Sequence, residues 1–266
     1  MSPVRDVRIA QLERQDWARN AGGVWQDPRA LLAHMRDNTH HVDAAGLVEW
    51  ERLASPGSHF LDLGCGAGWL TALLTRRAEV AKVVAWDSSP HLVGEMLPEM
   101  VALLDGDMSK VEAVCGEFVP LLVEDRSIDV AVMSSAFHHA DRPDALLDEL
   151  RRVLTPGGTL MLLNETPWHR LAMLTFTLRT SAAALVNLGG RRSRVRRPGH
   201  LAVDHALYDA RLGDRAMTLP QWRALAARTG WSIERIDTGL PPYRESFRPR
   251  GRLEPNLTHF LMRPGA

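Results

Sequence analysis

Residues Phe60-Leu61-Asp62-Leu63-Gly64-Cys65-Gly66-Ala67-Gly68-Trp69-Leu70 constrain this chain more than any other stretch. A short apolar run ends in an acid, a Gly-x-Gly-x-Gly segment follows, and an apolar helical pattern begins. That order predicts a strand, a tight turn and a helix. Three glycines within five residues remove the Cβ atoms that would hold a ligand away from the turn. The start of the helix directs its unpaired N–H groups at the same point. The first 70 residues therefore already contain a nucleotide-sized site.

The bulk numbers narrow what that site serves. The chain has 266 residues, 45% hydrophobic and 24% charged, with a formal net charge of zero. Such a chain can bury a large α/β core. It lacks the basic excess common in proteins that bind nucleic acid or a membrane surface. Cys65 and Cys115 are its two cysteines. They form no disulfide framework and no paired-Cys metal spacing, so no metal is expected. The first residues hold no apolar leader core, and no run approaches the ~20 apolar residues of a membrane span. A cytoplasmic location is the expectation.

Residues 1–57 read as amphipathic helices carrying Trp17, Trp25 and Trp50, closed by Ser55-Pro56-Gly57. Strands and helices then alternate. Strands are expected at 59–63, 82–86, 111–115, 128–133 and 159–163. Helices are expected at 69–78, 90–104 and 141–154, with Thr155-Pro156-Gly157-Gly158 ending the last. The rhythm breaks over 166–217, which hold an apolar helical stretch (171–188), an arginine-rich loop (191–197) and a short segment around Leu207-Tyr208. It resumes with a helix at 219–229 and strands at 231–236 and 258–262. The pattern predicts one structural domain, a three-layer, doubly wound, mostly parallel seven-stranded sheet. Residues 1–57 form a helical cap over the cleft, 58–165 the ligand-binding core, 166–217 a lid or substrate insertion, and 218–266 the completion of the sheet. Ligands on such sheets bind beyond the carboxyl ends of the strands.

A nicotinamide or flavin dinucleotide site needs Gly-x-Gly-x-x-Gly. Here the third glycine comes one residue early, at Gly68, and Trp69 fills the place where a glycine is required. No Gly-Lys-Ser/Thr follows, so a phosphate loop is also excluded. Asp87 ends the second strand, where a carboxylate can accept both ribose hydroxyls. Glu117 follows the third strand and can accept from an adenine amino group, with Phe118 beside it to pack on the ring.

In these features the chain resembles the class I S-adenosylmethionine-dependent methyltransferases. The matching stretches are 60–68, 83–88, 114–120 and 128–163, the last including DVAVMSSAFHHADRPDALLDELRRVLTPGG. The likeness covers roughly residues 58–165 and, more loosely, 218–262. It implies a Rossmann-like methyltransferase fold and S-adenosylmethionine as cofactor, with S-adenosylhomocysteine as product. It implies that Asp62 and the backbone of Gly64, Cys65, Gly66, Ala67 and Gly68 hold the methionine end. Asp87 would hold the ribose with Ser88 beside it, Glu117 and Phe118 the adenine, and Ser134 and Ser135 would border the sulfonium. The family commonly has aspartate where Glu117 stands, and the chemistry survives that change.

The substrate side is less specified. One of His138 and His139 is a candidate general base, His138 being nearer the strand end. The alternative is a pair of loop histidines that pack or hydrogen-bond. Adjacent residues point apart, so neither this pair nor His40-His41 suits chelation. Trp168, His169, Tyr208 and Tyr243, with Arg244, are candidate substrate contacts. Stretch 171–188 is either a lid or an ordinary core or dimer helix, and the arginines of 191–197 are either an anion site or a solvated loop. The expected activity is methyl transfer to a small-molecule acceptor, such as a secondary-metabolite intermediate, by in-line displacement. The alternatives are non-methylating chemistry on the same cofactor, such as cyclisation, and nucleic-acid methylation, which zero net charge opposes. A small-molecule substrate is the expected partner, with no nucleic acid and no membrane. Monomer and homodimer both remain open.

Overall fold

The computed structural model describes residues 5–6, 18, 22–168, 200–203, 206–209, 214–244 and 255–265. In chain order its strands are β1 (Arg5–Asp6), β2 (Ser58–Leu63), β3 (Val80–Asp87), β4 (Val111–Cys115), β5 (Ile128–Ser134), β6 (Leu154–Glu165), β7 (His200–Val203), β8 (Ala206–Asp209), β9 (Asp214–Ala216), β10 (Trp231–Asp237) and β11 (Thr258–Pro264). Its α-helices are α1 (Pro28–Asn38), α2 (His41–Ala45), α3 (Trp69–Thr75), α4 (Leu97–Leu103), α5 (Pro143–Val153) and α6 (Leu219–Arg228).

The main sheet runs β1-β4-β3-β2-β5-β6-β11-β10. Every pairing from β1 to β6 is parallel, and β11 runs antiparallel to both neighbours. The seven expected strands are thus present, with a two-residue eighth strand added at the edge. Residues 5–6 were expected within helical sequence; there they pair with Val114 and Cys115 instead. Sheet order reverses on either side of β2, and this switch point opens a crevice at the carboxyl ends of β2 and β5.

Both faces of the sheet are covered, which explains why β5 is a continuous apolar run. Leu61, Leu63, Val84 and Trp86 point to one face, with α5 and α6 upon it. Phe60 and Val83 point to the other, which α1 and α3 cover. Alternation along β2 and β3 therefore assigns successive residues to opposite layers. On α5, Leu146, Leu147, Leu150 and Val153 are fully buried, each contributing about 1.5–3 kcal/mol of burial. Phe137, Trp222 and Phe260 stack in series, with ring centroids 5.2 and 4.8 Å apart.

Four local expectations change. The helix expected at 90–104 starts as a π-helical turn, Leu92–Met96, before α4. Pro98 has no N–H to return to the carbonyl four residues earlier, and a wider turn absorbs the break. Within 1–57, Gly23–Gln26 and Trp50–Arg52 are 3-10 turns. Thr155-Pro156-Gly157-Gly158 does not separate α5 from a strand beginning at 159. The chain passes directly into β6, and these residues bulge where the pairing jumps from Ile128–Leu154 to Val130–Thr159. Leu207 and Tyr208 belong to β8, the centre of a three-stranded antiparallel sheet.

Candidate active site

Asp62 lies beside Ala85 and Val132 in the parallel ladder, Asp87 beside Cys115, and Ser134 beside Leu163. The register therefore delivers the chemical groups of four strands to one edge of the sheet. Gly64 and Cys65 donate their N–H groups to the Trp86 carbonyl at 2.7 and 3.0 Å. The turn leaves β2 while still tied to β3.

Each glycine in the turn is left-handed, for a different reason at two of them. At Gly68 (φ 83°) an added Cβ would lie 2.0 Å from Cδ1 of buried Leu97. Gly68 thus lets the start of α3 pack closely on Leu97 of α4, and Trp69 is buried in the cluster that α1 and α3 cover. At Gly66 (φ 55°) an added Cβ would meet nothing within 4 Å. The turn is thus open to a ligand at Gly66 and closed against α4 at Gly68. Cys65 and Ala67 between them are buried.

Two buried carboxylates stand at the ends of the strands beside this turn, Asp62 on β2 and Asp87 on β3. Asp87 Oδ2 accepts the Gly66 N–H and Oδ1 the Ser89 N–H, each at 3.0 Å. Burial raises its pKa, and the backbone N–H groups of Ser89, Gly66 and Ser88 oppose the rise. A carboxylate has about four acceptor positions, so Asp87 keeps capacity for a pair of hydroxyls. Asp62 accepts from Thr71 Oγ1 at 2.6 Å. Burial and the nearby Asp87 charge raise Asp62 to about 7, against the Thr71 hydrogen bond. Burial and both carboxylates push the Cys65 thiol well up.

The other expected cofactor residues lie at or just beyond the ends of β3, β4 and β5. Ser88 is half-buried. Trp86 Nε1 donates to the Glu117 carbonyl at 3.0 Å, pinning that loop to β3. The Phe118 ring stands 3.4 Å from the position of a Cβ on Gly64, and Ala136 lies closer still. Ser134 Oγ accepts from Asn164 Nδ2 at 2.9 Å, and Ser135 Oγ donates to the Asn164 carbonyl at 3.0 Å. Ser135 and Asn164 are both left-handed, at φ 49° and 59°.

His138 and His139 form a short turn with ring centroids 4.3 Å apart. His138 Nδ1 is 3.0 Å from Glu165 Oε2. His139 is more exposed and acts electrostatically on Asp87. Sequence reasoning passed over Glu165, although it carries the same signal as Asp62 and Asp87: an acid where a buried strand ends. It also passed over Thr71, Asn164 and His259. Buried His259 accepts the Asn164 N–H on Nδ1 at 3.1 Å, so its Nε2–H donates to the Ala44 carbonyl at 2.8 Å. Asn164 Nδ2 also reaches the His41 carbonyl at 3.2 Å. These bonds fasten α2 beside the ends of β5 and β6.

Three of the four candidate substrate residues lie among the described ones. The Trp168 N–H binds the Met217 carbonyl at 2.9 Å, ahead of α6. Tyr243 pairs with Thr39 beyond α1, and Arg244 Nη2 binds Asp43 at 2.6 Å. Tyr208 lies in β8 opposite Leu201 and Arg215. His169, stretch 171–188 and loop 191–197 fall outside the described residues. Among the described residues no group of three or more His, Cys, Asp or Glu is placed to hold a metal, and no helix is long and apolar enough to cross a membrane.

A family model described as a methyltransferase domain matches residues 61–162. Over 211 residues the chain is 31% identical to trans-aconitate 2-methyltransferase of Methylobacterium nodulans, covering 75% of this chain and 74% of that protein. It is 35% identical over 170 residues to an uncharacterized 37.1 kDa protein in a transposon of Streptomyces fradiae, covering 62% and 48%. The chain spans about half the length of the first curated relatives it matches. A putative sarcosine dimethylglycine methyltransferase from Galdieria sulphuraria shares the fold, with a TM-score of 0.57, 16% identity, and coverage of 85% of this chain and 84% of that one.

Proposed function

This chain belongs to the class I S-adenosylmethionine-dependent methyltransferases, and we propose that it methylates a small-molecule acceptor by in-line displacement. The observation that carries this reading is the open face of Gly66, whose N–H is held by buried Asp87, with buried Asp62 in the strand that leads into the turn. It is a cradle that a nucleoside with a charged tail fits. Asp87 would accept the ribose hydroxyls, Glu117 and Phe118 would hold the adenine, and Asp62 would face the amino-acid end. Ser88, Ser134 and Ser135 would line the remaining edge.

When bound, S-adenosylmethionine supplies a methyl group already electrophilic on its sulfonium. The protein's contribution is then alignment and exclusion of water. The rigid turn, tied to Trp86 and Asp87, fixes the cofactor's position. The ends of β5 and β6, with α2 fastened beside them, form a wall on which an acceptor can be oriented. A small acceptor fits the zero net charge of the chain and the name of the Methylobacterium relative. Cys65 and Cys115 are buried and outside any disulfide, which fits a reducing compartment such as the cytoplasm.

The test is a calorimetric titration of the purified chain with S-adenosylhomocysteine, together with mass spectrometry of any nucleoside that co-purifies. One-to-one binding that is lost in Asp87→Ala is the expected result. Absence of binding by the folded wild-type chain would overturn the reading.

A further inference from the structure

Asn164, near the end of β6, is 2% exposed and left-handed, at φ 59°. All but one of its polar groups are committed. Its N–H donates to His259 Nδ1 at 3.1 Å, and its backbone carbonyl accepts from Ser135 Oγ at 3.0 Å. Its Nδ2 donates to Ser134 Oγ at 2.9 Å and to the His41 carbonyl at 3.2 Å. A carbonyl only accepts, so the His41 contact fixes which end of the amide is nitrogen. The other end, Oδ1, is buried and has no hydrogen-bond partner among the described residues.

This acceptor stands where β5 and β6 end and α2 begins. The neighbouring acid, Glu165, has both oxygens engaged, by the Phe137 N–H and by His138. The other buried side-chain atoms without a partner, Arg77 Nε, Thr159 Oγ1 and Trp231 Nε1, lie away from the carboxyl ends of these strands. Among the left-handed residues that are not glycine, Asp105 and Arg126 are exposed turn residues. Ser135 and Asn164 instead meet across the ends of β5 and β6. A buried carbonyl without a donor is costly. Strain and an unpaired buried group in one side chain mark a residue kept for something other than stability. A donor supplied by a ligand offsets the cost.

We propose that Oδ1 of Asn164 binds an N–H of the methyl acceptor, which reacts as a primary or secondary amine. This rests on the methyltransferase reading of the site and names its substrate class. A carboxylate or thioether brings no donor. A hydroxyl brings one, but an amide oxygen holds a hydrogen bond without taking the proton, so the hydroxyl would attack still protonated. A neutral amine, its extra proton already left to water, keeps its N–H throughout. Its lone pair forms the bond to carbon as the S–C bond breaks, with that electron pair remaining on sulfur as a thioether. Positive charge passes to nitrogen, where the amide dipole stabilises it. The ammonium product gives up its proton to water after release. Oδ1 is closed to solvent, so the amine meets it as α2, which touches the amide through His41, gives way.

The test uses the full chain, ¹³C- and ¹⁵N-labelled at asparagine and saturated with S-adenosylhomocysteine. Amines of graded size, from ammonia to benzylamine, should move the Asn164 side-chain carbonyl resonance downfield. Tetramethylammonium and butyrate, which lack a donor, should leave it in place. A carbonyl that no amine moves, or that keeps a long-lived bound water in their presence, overturns the proposal. Asn164→Asp and Asn164→Leu both lose the bonds to Ser134 and His41, but only Asn164→Leu loses the acceptor. With S-adenosylmethionine, amines should turn over in the wild type and in Asn164→Asp, and kcat/KM should fall by about tenfold or more in Asn164→Leu. Equal losses in the two variants, or turnover confined to carboxylic acids or hydroxyl compounds, overturn it. S-adenosylhomocysteine affinity should stay within about twofold in both variants, and a larger loss in Asn164→Leu would place the amide on the cofactor and overturn the proposal. Where a variant does not fold or no panel reacts, the carbonyl resonance of the wild type decides. Failure of the wild type to bind S-adenosylhomocysteine would instead defeat the cofactor reading.

Discussion

Asp87 Oδ2 accepts the backbone N–H of Gly66 at 3.0 Å. The acid that ends β3 thus holds the open point of the turn that follows β2. One carboxylate shapes the turn and, on the proposed reading, would also meet the nucleoside.

Removing that acid should therefore cost binding twice, through the lost acceptor and through a looser turn. Asp87→Ala is expected to weaken S-adenosylhomocysteine by at least tenfold, the low end of about 1.5–3 kcal/mol for a hydrogen bond to a charged group. Calorimetry reads the change. An affinity equal to wild type would show that Asp87 does not contact the ligand.

Asp62 sets a pH dependence. Its folded pKa of about 7 stands above the 3.8 of an unperturbed aspartate. The folded chain keeps a proton that the unfolded chain loses, so this stabilisation is complete below about pH 4 and is lost as pH rises to about 7. Asp62→Asn should lose that downward slope, seen by comparing urea midpoints of the two proteins from pH 4 to 8. A ligand ammonium at Asp62 needs the ionised form, so wild-type affinity should rise with pH up to about 7 and then level off. Parallel stability curves for the two proteins would show that Asp62 is ionised throughout.

The two ends of the turn should respond differently to alanine. Gly68→Ala sets a methyl against Leu97, and overpacking plus a left-handed alanine should cost about 2–4 kcal/mol. Gly66→Ala meets open space and should cost only about 1–2 kcal/mol of conformational strain, while weakening the nucleoside. Urea unfolding and ligand titration separate these effects. Equal stability losses at the two positions would contradict the geometry.

Cys65 and Cys115 should be inert in the folded chain. Both are buried, and burial holds the Cys65 thiol well above the pH at which it would ionise. An aromatic disulfide reagent should label neither at pH 8 and both in denaturant. Rapid labelling of the native chain would show that the turn opens.

Much of the site was legible because its signals are local. The spacing of Gly64, Gly66 and Gly68, an acid at each strand end, and the apolar run of β5 are each set within a few residues. The same local reasoning placed the helix around Pro98 but missed its π-helical first turns, and it missed the bulge at Gly157-Gly158, where pairing with β5 decided the register. It preferred His138 over His139 only for being nearer the strand end, with no sign of Glu165 as its partner.

By itself the sequence determined the alternation of strands and helices, the glycine turn and the acids that follow β2 and β3. These depend on backbone freedom and hydrophobic period, which short segments express alone. Only the tertiary structure decided that Glu165 orients His138 across 27 residues of chain, that Leu97 closes Gly68 while Gly66 stays open, and that His259 fastens α2 across 215 residues. Such contacts join segments remote in the chain, and they form only once the parallel strands align their ends and both faces of the sheet are covered.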